Sequence, residues 1–497
     1  MREISFKYIP LSFISSKDEI KRQVNNTIIM KYVLEKYKNP LKLSDLLEET
    51  RYGYTDSAKA SGSHKFLRIT DINEGRVNWD NVPFCNCENA ENYLLRANDI
   101  LVARTGGTTG KSFIIKELQY PSVFASYLIR MRVSSKLNPD YLYIFLNSYA
   151  YWNQIVNMKM GSAQPNVNAE KLKELLIPYC DLETQNKIVN MSKDDLKNDW
   201  DRDAELDRLK SFIDEVNRKI DLIEELKLTH DQNIDLAKKI RLSILQEAIQ
   251  GKLTSQDSSD EPPSVLLERI KEEKEILIRE GKIKKEKPLP PVPEEEIPYE
   301  LPQGWQWVRL KELTANIHYG YTASAVTDNT GIKFLRITDI QDNKVNWDTV
   351  PYCEIEEKKV HLYLLKNDDI LIARTGSVGK SFIVKNIKHK VVFASYLIRI
   401  IPLSNINPDY LKLFLETPLY WDQLLQKSKG SVQLNVNAVS LSNLLLPLPP
   451  LDEQKRIVEI VDQLMVLCAK LERKIEQSQK DTDLLLQSVL QEAFAEA

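Results

Sequence analysis

Leu206, Leu209, Ile213, Val216, Ile220 and Ile223 fall three and four positions apart, the period of a helix that keeps one apolar stripe against a partner. Ile457, Ile460, Leu464, Leu467 and Leu471 repeat that spacing near the C-terminus, and related segments close the two stretches, SILQEA at 243–248 and SVLQEA at 488–493. Two heptad helices at equivalent places predict a pair that packs together rather than two helices lying on their own domains. Ahead of each helix the period changes. Residues 65–72 and 333–340 alternate with β-branched residues and run into polar turns, which predicts strand followed by turn. DILVAR at 99–104 and DILIAR at 369–374 each precede a Gly-rich turn and a second apolar run, the pattern of two strands around a tight loop. Asn138-Pro139-Asp140-Tyr141 predicts the start of a helix running through Trp152, with proline at the first helical position where its missing N–H costs least, and Asn407 opens the same motif again.

The elements recur because the chain is duplicated. FLRITDI occupies both 66–72 and 334–340, VNWD both 77–80 and 345–348, VFASYLIR both 123–130 and 392–399, and NPDYL both 138–142 and 407–411. The match ends on NVN at 166–168 and 435–437. A repeat of that length is a folded domain rather than a solenoid unit. The expected fold class is α+β, with two tandem α/β modules joined by long helices. The expected divisions are an N-terminal helical segment at 1–41, a first module at 42–185, a central helical region at 186–254, and a linker at 255–300 with a charged helix and a Pro- and Glu-rich stretch. A second module at 301–454 and a C-terminal helix at 455–497 complete the chain. Residues 16–38 predict a helix before the first copy, where the linker helix precedes the second.

Composition narrows the functional classes. The 497 residues allow two or three domains of ordinary size. Five cysteines, Cys85, Cys87, Cys180, Cys353 and Cys468, hold no paired CxxC spacing, which speaks against a zinc site or a disulfide framework. No apolar run reaches the length of a membrane span and the N-terminus is a poor signal peptide, so a cytoplasmic location is expected. The net charge of −3 hides a partition: residues 42–185 carry 16 basic and 16 acidic side chains, 301–454 carry 17 and 15, and 186–300 carry 21 and 28. Near-neutral modules can bind DNA through a one-sided patch, and a partner with more positive surface would strengthen that binding.

Most candidate chemistry fails on residue type. GGTTGKS at 106–112 and GSVGKS at 376–381 resemble phosphate-binding loops, but Thr105 and Arg374 stand where the first glycine of that motif is required. NPDY has aspartate where an amino-methyltransferase motif has its second proline, and helix capping accounts for it. The five histidines do not recur between copies, so no duplicated base or metal site is expected. What recurs is an aromatic, basic and amide set: Tyr52, Tyr54 and Thr55 with Tyr319, Tyr321 and Thr322; Arg68 with Arg336; Arg104 and Thr105 with Arg374 and Thr375; Lys111 with Lys380; and Gln164 and Asn166 with Gln433 and Asn435. Arg and Lys grip phosphates or guanine edges, amides read adenine, and tyrosine stacks or bonds a phosphate. Two of these sets have a competing structural role, since Arg68 and Arg336 can form scaffold ion pairs and the Asn-rich loops can cap the next helix.

With these residues in order, the chain resembles the specificity subunit of type I restriction–modification systems. The resemblance rests on GSAQPNVN at 161–168 and GSVQLNVN at 430–437, the Pro-rich module end LLPLPPLDEQ at 445–454, and a linker running into LPQGW at 301–305. It implies two target recognition domains that each read half of a split double-stranded DNA site, held by an antiparallel, pseudo-twofold helix pair that docks two methyltransferase subunits. Endonuclease/translocase subunits would join for cleavage. S-adenosylmethionine, ATP and Mg would then belong to partners, with no cofactor and no catalysis on this chain. The chain departs from the family pattern at its start, which lacks an LPxGW-like entry, and at IPYCDLETQ, 177–185. A helix of about 43 residues spans roughly 65 Å, or about 19 base pairs, as an upper limit on the separation of half-sites. The long identical blocks imply two near-equivalent readers and a target close to an interrupted palindrome. The competing classes are an enzyme that cuts or modifies DNA itself and a coiled-coil assembly protein without DNA binding.

Overall fold

The computed structural model describes residues 4–9, 16–73, 75–159, 167–193, 203–285, 290–341, 343–427 and 436–496. The chain forms two compact units, Met1–Asp231 with Gln477–Ala497, and Gln232–Glu476. Each contains one copy of the repeat together with part of both long helices.

In the first unit, strands Leu47–Tyr52, Leu128–Val133, Ile100–Ala103 and Ser112–Ile114 form an antiparallel sheet in that order. A smaller sheet orders Phe84–Cys85, His64–Leu67 and Ser122–Phe124, the last two running parallel. Pro40–Lys42 pairs with Leu176–Pro178, so the entry and exit of the module close on each other. The second unit repeats this with Thr314–Tyr319, Leu397–Pro402, Ile370–Ala373 and Ser381–Ile383. Its smaller sheet gains an edge strand, Ala325–Val326, and Gln306–Arg309 pairs with Leu445–Leu448.

Two expected elements are shorter than their patterns. The strands at 65 and 333 end at Leu67 and Leu335, because Asp71 and Asp339 accept from the Arg68 and Arg336 backbone N–H groups and close a 3-10 turn. The helix expected from Asn138 through Trp152 divides into Pro139–Leu146 and Tyr149–Lys159. Asn138 caps it as expected, its Oδ1 accepting from Asp140 and Tyr141. At the break, Asn147 Nδ2 donates to the Tyr143 carbonyl and Ser148 Oγ to that of Phe145, local bonds that compete with the helical ladder. In the second copy Pro418 opens the following helix, and Thr417 Oγ1 donates to the Phe414 carbonyl.

The helix Lys17–Tyr37 starts on Ser16, whose Oγ accepts from the Glu19 N–H, and buries Val24, Ile28, Ile29, Met30 and Val33. Although it precedes the first copy as the linker helix Pro263–Arg279 precedes the second, the two pack on different surfaces. Asn26 Nδ2 donates to the Asn147 carbonyl and Thr27 Oγ1 accepts from the Tyr149 N–H. Pro418 stands at the position of Tyr149 in the second copy and has no N–H to offer. The linker helix instead sets Glu273 to accept from the Ser404 N–H and Asn405 Nδ2.

The long helices Ala204–Ile249 and Leu451–Glu496 have 46 residues each, about 69 Å at 1.5 Å per residue. Leu206, Leu209, Ile213, Val216, Ile220 and Ile223 are all buried in the first unit, in one core with Leu486, Leu490, Ala493 and Phe494. The two segments run antiparallel: Lys227 pairs with Asp483, and His230 then bonds Thr482 and reaches Ser478. In the second unit Leu245, Ala248 and Ile249 share a core with Ile457 and Val461, and Arg241 meets Glu472. The C-terminal stripe differs from the expected one. Leu467 is 58% and Leu471 42% exposed, and the buried line runs through Ile457, Val461, Cys468 and Ile475. Two overlapping apolar stripes share this helix, and only the one facing the opposing helix is covered.

Truncating the buried positions Leu245→Ala or Leu490→Ala should each cost about 2–5 kcal/mol. Leu467→Ala should stay within about 0.5 kcal/mol of wild type. Chemical denaturation followed by circular dichroism distinguishes the two stripes.

Candidate nucleic-acid interface

Tyr-Gly-Tyr occurs in both copies because two chain segments cross there at closer than side-chain distance. The Gly53 N–H donates to the Leu128 carbonyl, the Tyr54 N–H to that of Phe124, and the Ser126 N–H to that of Tyr54. A β-carbon on Gly53 would lie far inside contact distance of the Phe124 and Ala125 carbonyl oxygens, and Gly320 meets Phe393 and Ala394 in the same way. Only glycine permits that approach. The crossing carries Tyr52–Thr55 from the larger sheet to the edge of the smaller one, where Tyr54 bridges Ala125 and Tyr321 bridges Ala394. Tyr54 packs against Tyr93 and Tyr321 against Tyr363, with ring centroids 5.3 Å apart in both.

The phosphate-loop look-alikes are the turns of antiparallel hairpins. Across the first turn the Ala103 N–H donates to the Lys111 carbonyl and the Ala103 carbonyl accepts from the Gly110 N–H; Ala373, Lys380 and Gly379 repeat the arrangement. Gly110 and Gly379 have φ of 95° and 84°. A side chain there would strike the rings of Trp152 and Trp421, while Tyr151 and Tyr420 hydroxyls donate to the two glycine carbonyls, 2.7 Å away. The turn is therefore clamped from behind.

The hairpin, the Tyr-Gly-Tyr crossing and the Ala-Ser-Tyr turn at 125–127 meet at Arg104. Its N–H donates to the Tyr127 carbonyl, its own carbonyl accepts from the Val167 N–H, and its guanidinium lies 5.0 Å from the Tyr52 ring centroid. The Tyr52 hydroxyl accepts from the Ala169 N–H at 3.0 Å, on the first turn of a helix capped by Asn168. Arg374 repeats this over Tyr319, centroid distance 5.1 Å, with the Tyr319 hydroxyl accepting from Ala438 beside the cap Asn437.

The recurring cations fall into two classes. Arg68 and Arg336 each make a forked ion pair, to Asp71 and Asp339, which raises their already high pKa and serves the scaffold. Arg104, Arg374 and Lys380 have no acidic partner among the described residues. Lys111 is half-buried under the first turn; Thr105 is half-buried, and Thr55, Thr322 and Thr375 are exposed. Gln164, Asn166, Gln433 and Asn435 lie outside the described residues. Reading the sequence overlooked Tyr127 and Tyr396, 64% and 59% exposed, although a Ser-Tyr step interrupting the same apolar run in both copies marks the spot.

Among the described residues no group of three His, Cys, Asp or Glu side chains is placed to hold a metal ion. Burial pushes the Cys85 and Cys353 thiols up to about 11, which keeps them protonated at neutral pH and poor as nucleophiles. No helix among the described residues is long and apolar enough to cross a membrane.

The profile of the type I restriction modification DNA specificity domain matches residues 35–194 and again 302–478. The chain is 30% identical over 400 residues to the specificity subunit of the Escherichia coli type I restriction enzyme EcoEI, covering 73% of this chain and 65% of that one. It is 33% identical over 276 residues to the EcoAI specificity subunit of E. coli, covering 53% and 45%. It thus spans less than two thirds of either relative. The EcoBI specificity subunit of E. coli aligns at 22% identity over 497 residues, covering 97% and 90%. A solved chain from work on complex assembly and conformational transition of the type I R-M system superposes with a TM-score of 0.52 at 18% identity, covering 92% of this chain and 97% of that one, a likeness of fold. With both copies of the repeat matched, the chain belongs to the type I restriction–modification DNA specificity family.

Proposed function

We propose that this chain is the non-catalytic DNA-recognition subunit of a type I restriction–modification complex. Its target recognition domains, 42–185 and 301–454, each read one half of a bipartite site. The long helices set the spacer and carry the docking faces for two methyltransferase subunits, and endonuclease/translocase subunits join for cleavage. The adenine-N6 methyl transfer, its S-adenosylmethionine, and the ATP and Mg of restriction reside on those partners. Leucines left exposed on the long helices, among them Leu222, Leu226 and Leu228 in the first unit, suit partner docking.

One observation carries this reading: each copy holds an arginine with no counter-ion among the described residues, stacked on a tyrosine that is itself tied to the next helix. A guanidinium held in one geometry with its charge uncompensated is preorganised for an anion, and the stack limits the entropy lost on binding. A hairpin turn bearing Arg104, Thr105 and Lys111, or Arg374, Thr375 and Lys380, offers cations and hydroxyls to phosphates. Tyr54, Thr55, Tyr321 and Thr322 flank it, and Gln164, Asn166, Gln433 and Asn435 supply amides able to read adenine. Tyr52 and Tyr319 act as positioning residues, and Arg68 and Arg336 hold the scaffold.

Arg104→Ala and Arg374→Ala should each weaken DNA binding by the assembled complex about tenfold to a hundredfold, with unchanged thermal melting. Wild-type affinity in both variants would remove the arginines from the interface. Single-molecule methylation mapping of genomic DNA should return two half-sites forming an interrupted palindrome or close to it, whereas unrelated half-sites would defeat the two-equivalent-readers reading.

A further inference from the structure

VFASYLIR is one of the two longest blocks identical in the two copies, and packing explains all of it except two positions. Val123, Phe124, Ala125, Leu128, Ile129 and Arg130 are each at most 4% exposed. Arg130 donates to Glu49 and to the Leu94 carbonyl, and Arg399 pairs with Asp369. Ser126-Tyr127 and Ser395-Tyr396 are the exceptions, and the two tyrosines are the most exposed aromatic residues described in the chain. A tyrosine kept in water has no packing reason to recur.

Its mounting is nevertheless rigid and the same in both copies. The Arg104 N–H donates to the Tyr127 carbonyl, the Leu128 N–H to that of Ala125 and the Ser126 N–H to that of Tyr54, all at 2.9 Å; Arg374, Leu397 and Ser395 make the three equivalent bonds, also at 2.9 Å. Neither hydroxyl has a hydrogen-bond partner among the described residues. The other exposed tyrosines differ on that point. Tyr52 and Tyr319 accept from backbone amides, and Tyr120 donates to Asp80 and is replaced by His389 in the second copy.

We propose that Tyr127 and Tyr396 grip the sugar–phosphate backbone of the two half-sites, each donating its hydroxyl to a phosphate oxygen while the ring lies on the adjoining sugar. This rests on the reading of both modules as DNA binders. A phenol on a turn bonded directly to an arginine that has no counter-ion among the described residues forms a donor pair matched to a phosphodiester. Ordering it costs little, because tyrosine has two side-chain torsions and its backbone is already fixed. The backbone is the natural target because the turn is identical in both copies. Residues that differ between them, at 56–65 against 323–333, 86–92 against 354–362 and 118–122 against 387–391, lie outside the turn and are left to read bases.

The test uses the full chain assembled with its methyltransferase subunit, binding labelled cognate and scrambled duplexes, with Arg104→Ala as reference. Tyr127→Phe, which keeps the ring and loses the hydroxyl, should weaken binding about three- to tenfold on both duplexes, and Tyr127→Ala more. Thermal melting and the methylated sequence should stay unchanged, and Tyr396→Phe should behave alike. Full affinity in Tyr127→Ala alongside a weakened Arg104→Ala would overturn the assignment and leave the module reading intact. An altered methylation motif would show a base contact and overturn it too. Full affinity in Tyr127→Ala and Arg104→Ala together would overturn both this assignment and the module reading beneath it.

Discussion

Each module is organised by a crossing of two backbones with no room between them for a β-carbon. Gly53 passes over Phe124 and Ala125, and Gly320 over Phe393 and Ala394, closely enough for the larger sheet to hand its first strand directly to the smaller one. Everything proposed to touch DNA hangs from that junction. The tyrosine before the glycine supports an arginine, the tyrosine after it fixes the Ala-Ser-Tyr turn, and the hairpin carrying the arginine is bonded to the same turn. Since the polar groups at the crossing are backbone amides and carbonyls, the arrangement tolerates wide change in the surrounding side chains, as expected of a scaffold whose loops are meant to vary.

The duplication, the helix caps at Asn138 and Asn407 and the first heptad stripe were legible because each depends on residues near in sequence. What was not legible depends on distant partners. The C-terminal helix carries two apolar stripes of similar spacing, and the choice between Leu467 and Cys468 is made by the opposing helix rather than by spacing. The breaks at Asn147 and Thr417 come from single hydroxyl and amide bonds inside an apolar run that reads as continuous. Among candidate site residues, amino-acid type could not divide Arg104 from Arg68. Both precede turns, and only the three-residue reach of Asp71 neutralises one of them. Tyr127 was hidden by its neighbours, since an aromatic within VFASYLIR looks like core until the burial of every other member is known.

The two departures of this chain from its family pattern, an absent LPxGW entry and a degraded module end, touch the same contact. In the second unit Trp305 donates its indole N–H to Glu453, a fully buried carboxylate that also accepts from Thr254 and Gln256. In the first copy the position of Glu453 is held by Thr184, and no tryptophan enters before the module. Losing only one partner would strand a buried charge or an unmet indole donor, so the pair is kept or lost together. Gln185 and Gln454, one residue further on, recur in both copies because their role is independent of the entry: each accepts from the N–H of the Asn that caps Pro139–Leu146 or its counterpart Pro408–Phe414.

The last turns of the C-terminal helix lie in the core of the first unit, where Leu490, Ala493 and Phe494 join residues from as early as Ile4, and Phe494 packs against Tyr149. The first module therefore emerges from the ribosome before the segment that completes its core, leaving an apolar gap that Leu486, Leu490, Ala493 and Phe494 later fill. Contacts separated by most of the polypeptide are slow to form, and the gap stays open while the second module is made. Removing Leu486, Leu490, Ala493 and Phe494 would leave that apolar surface of the first unit uncovered.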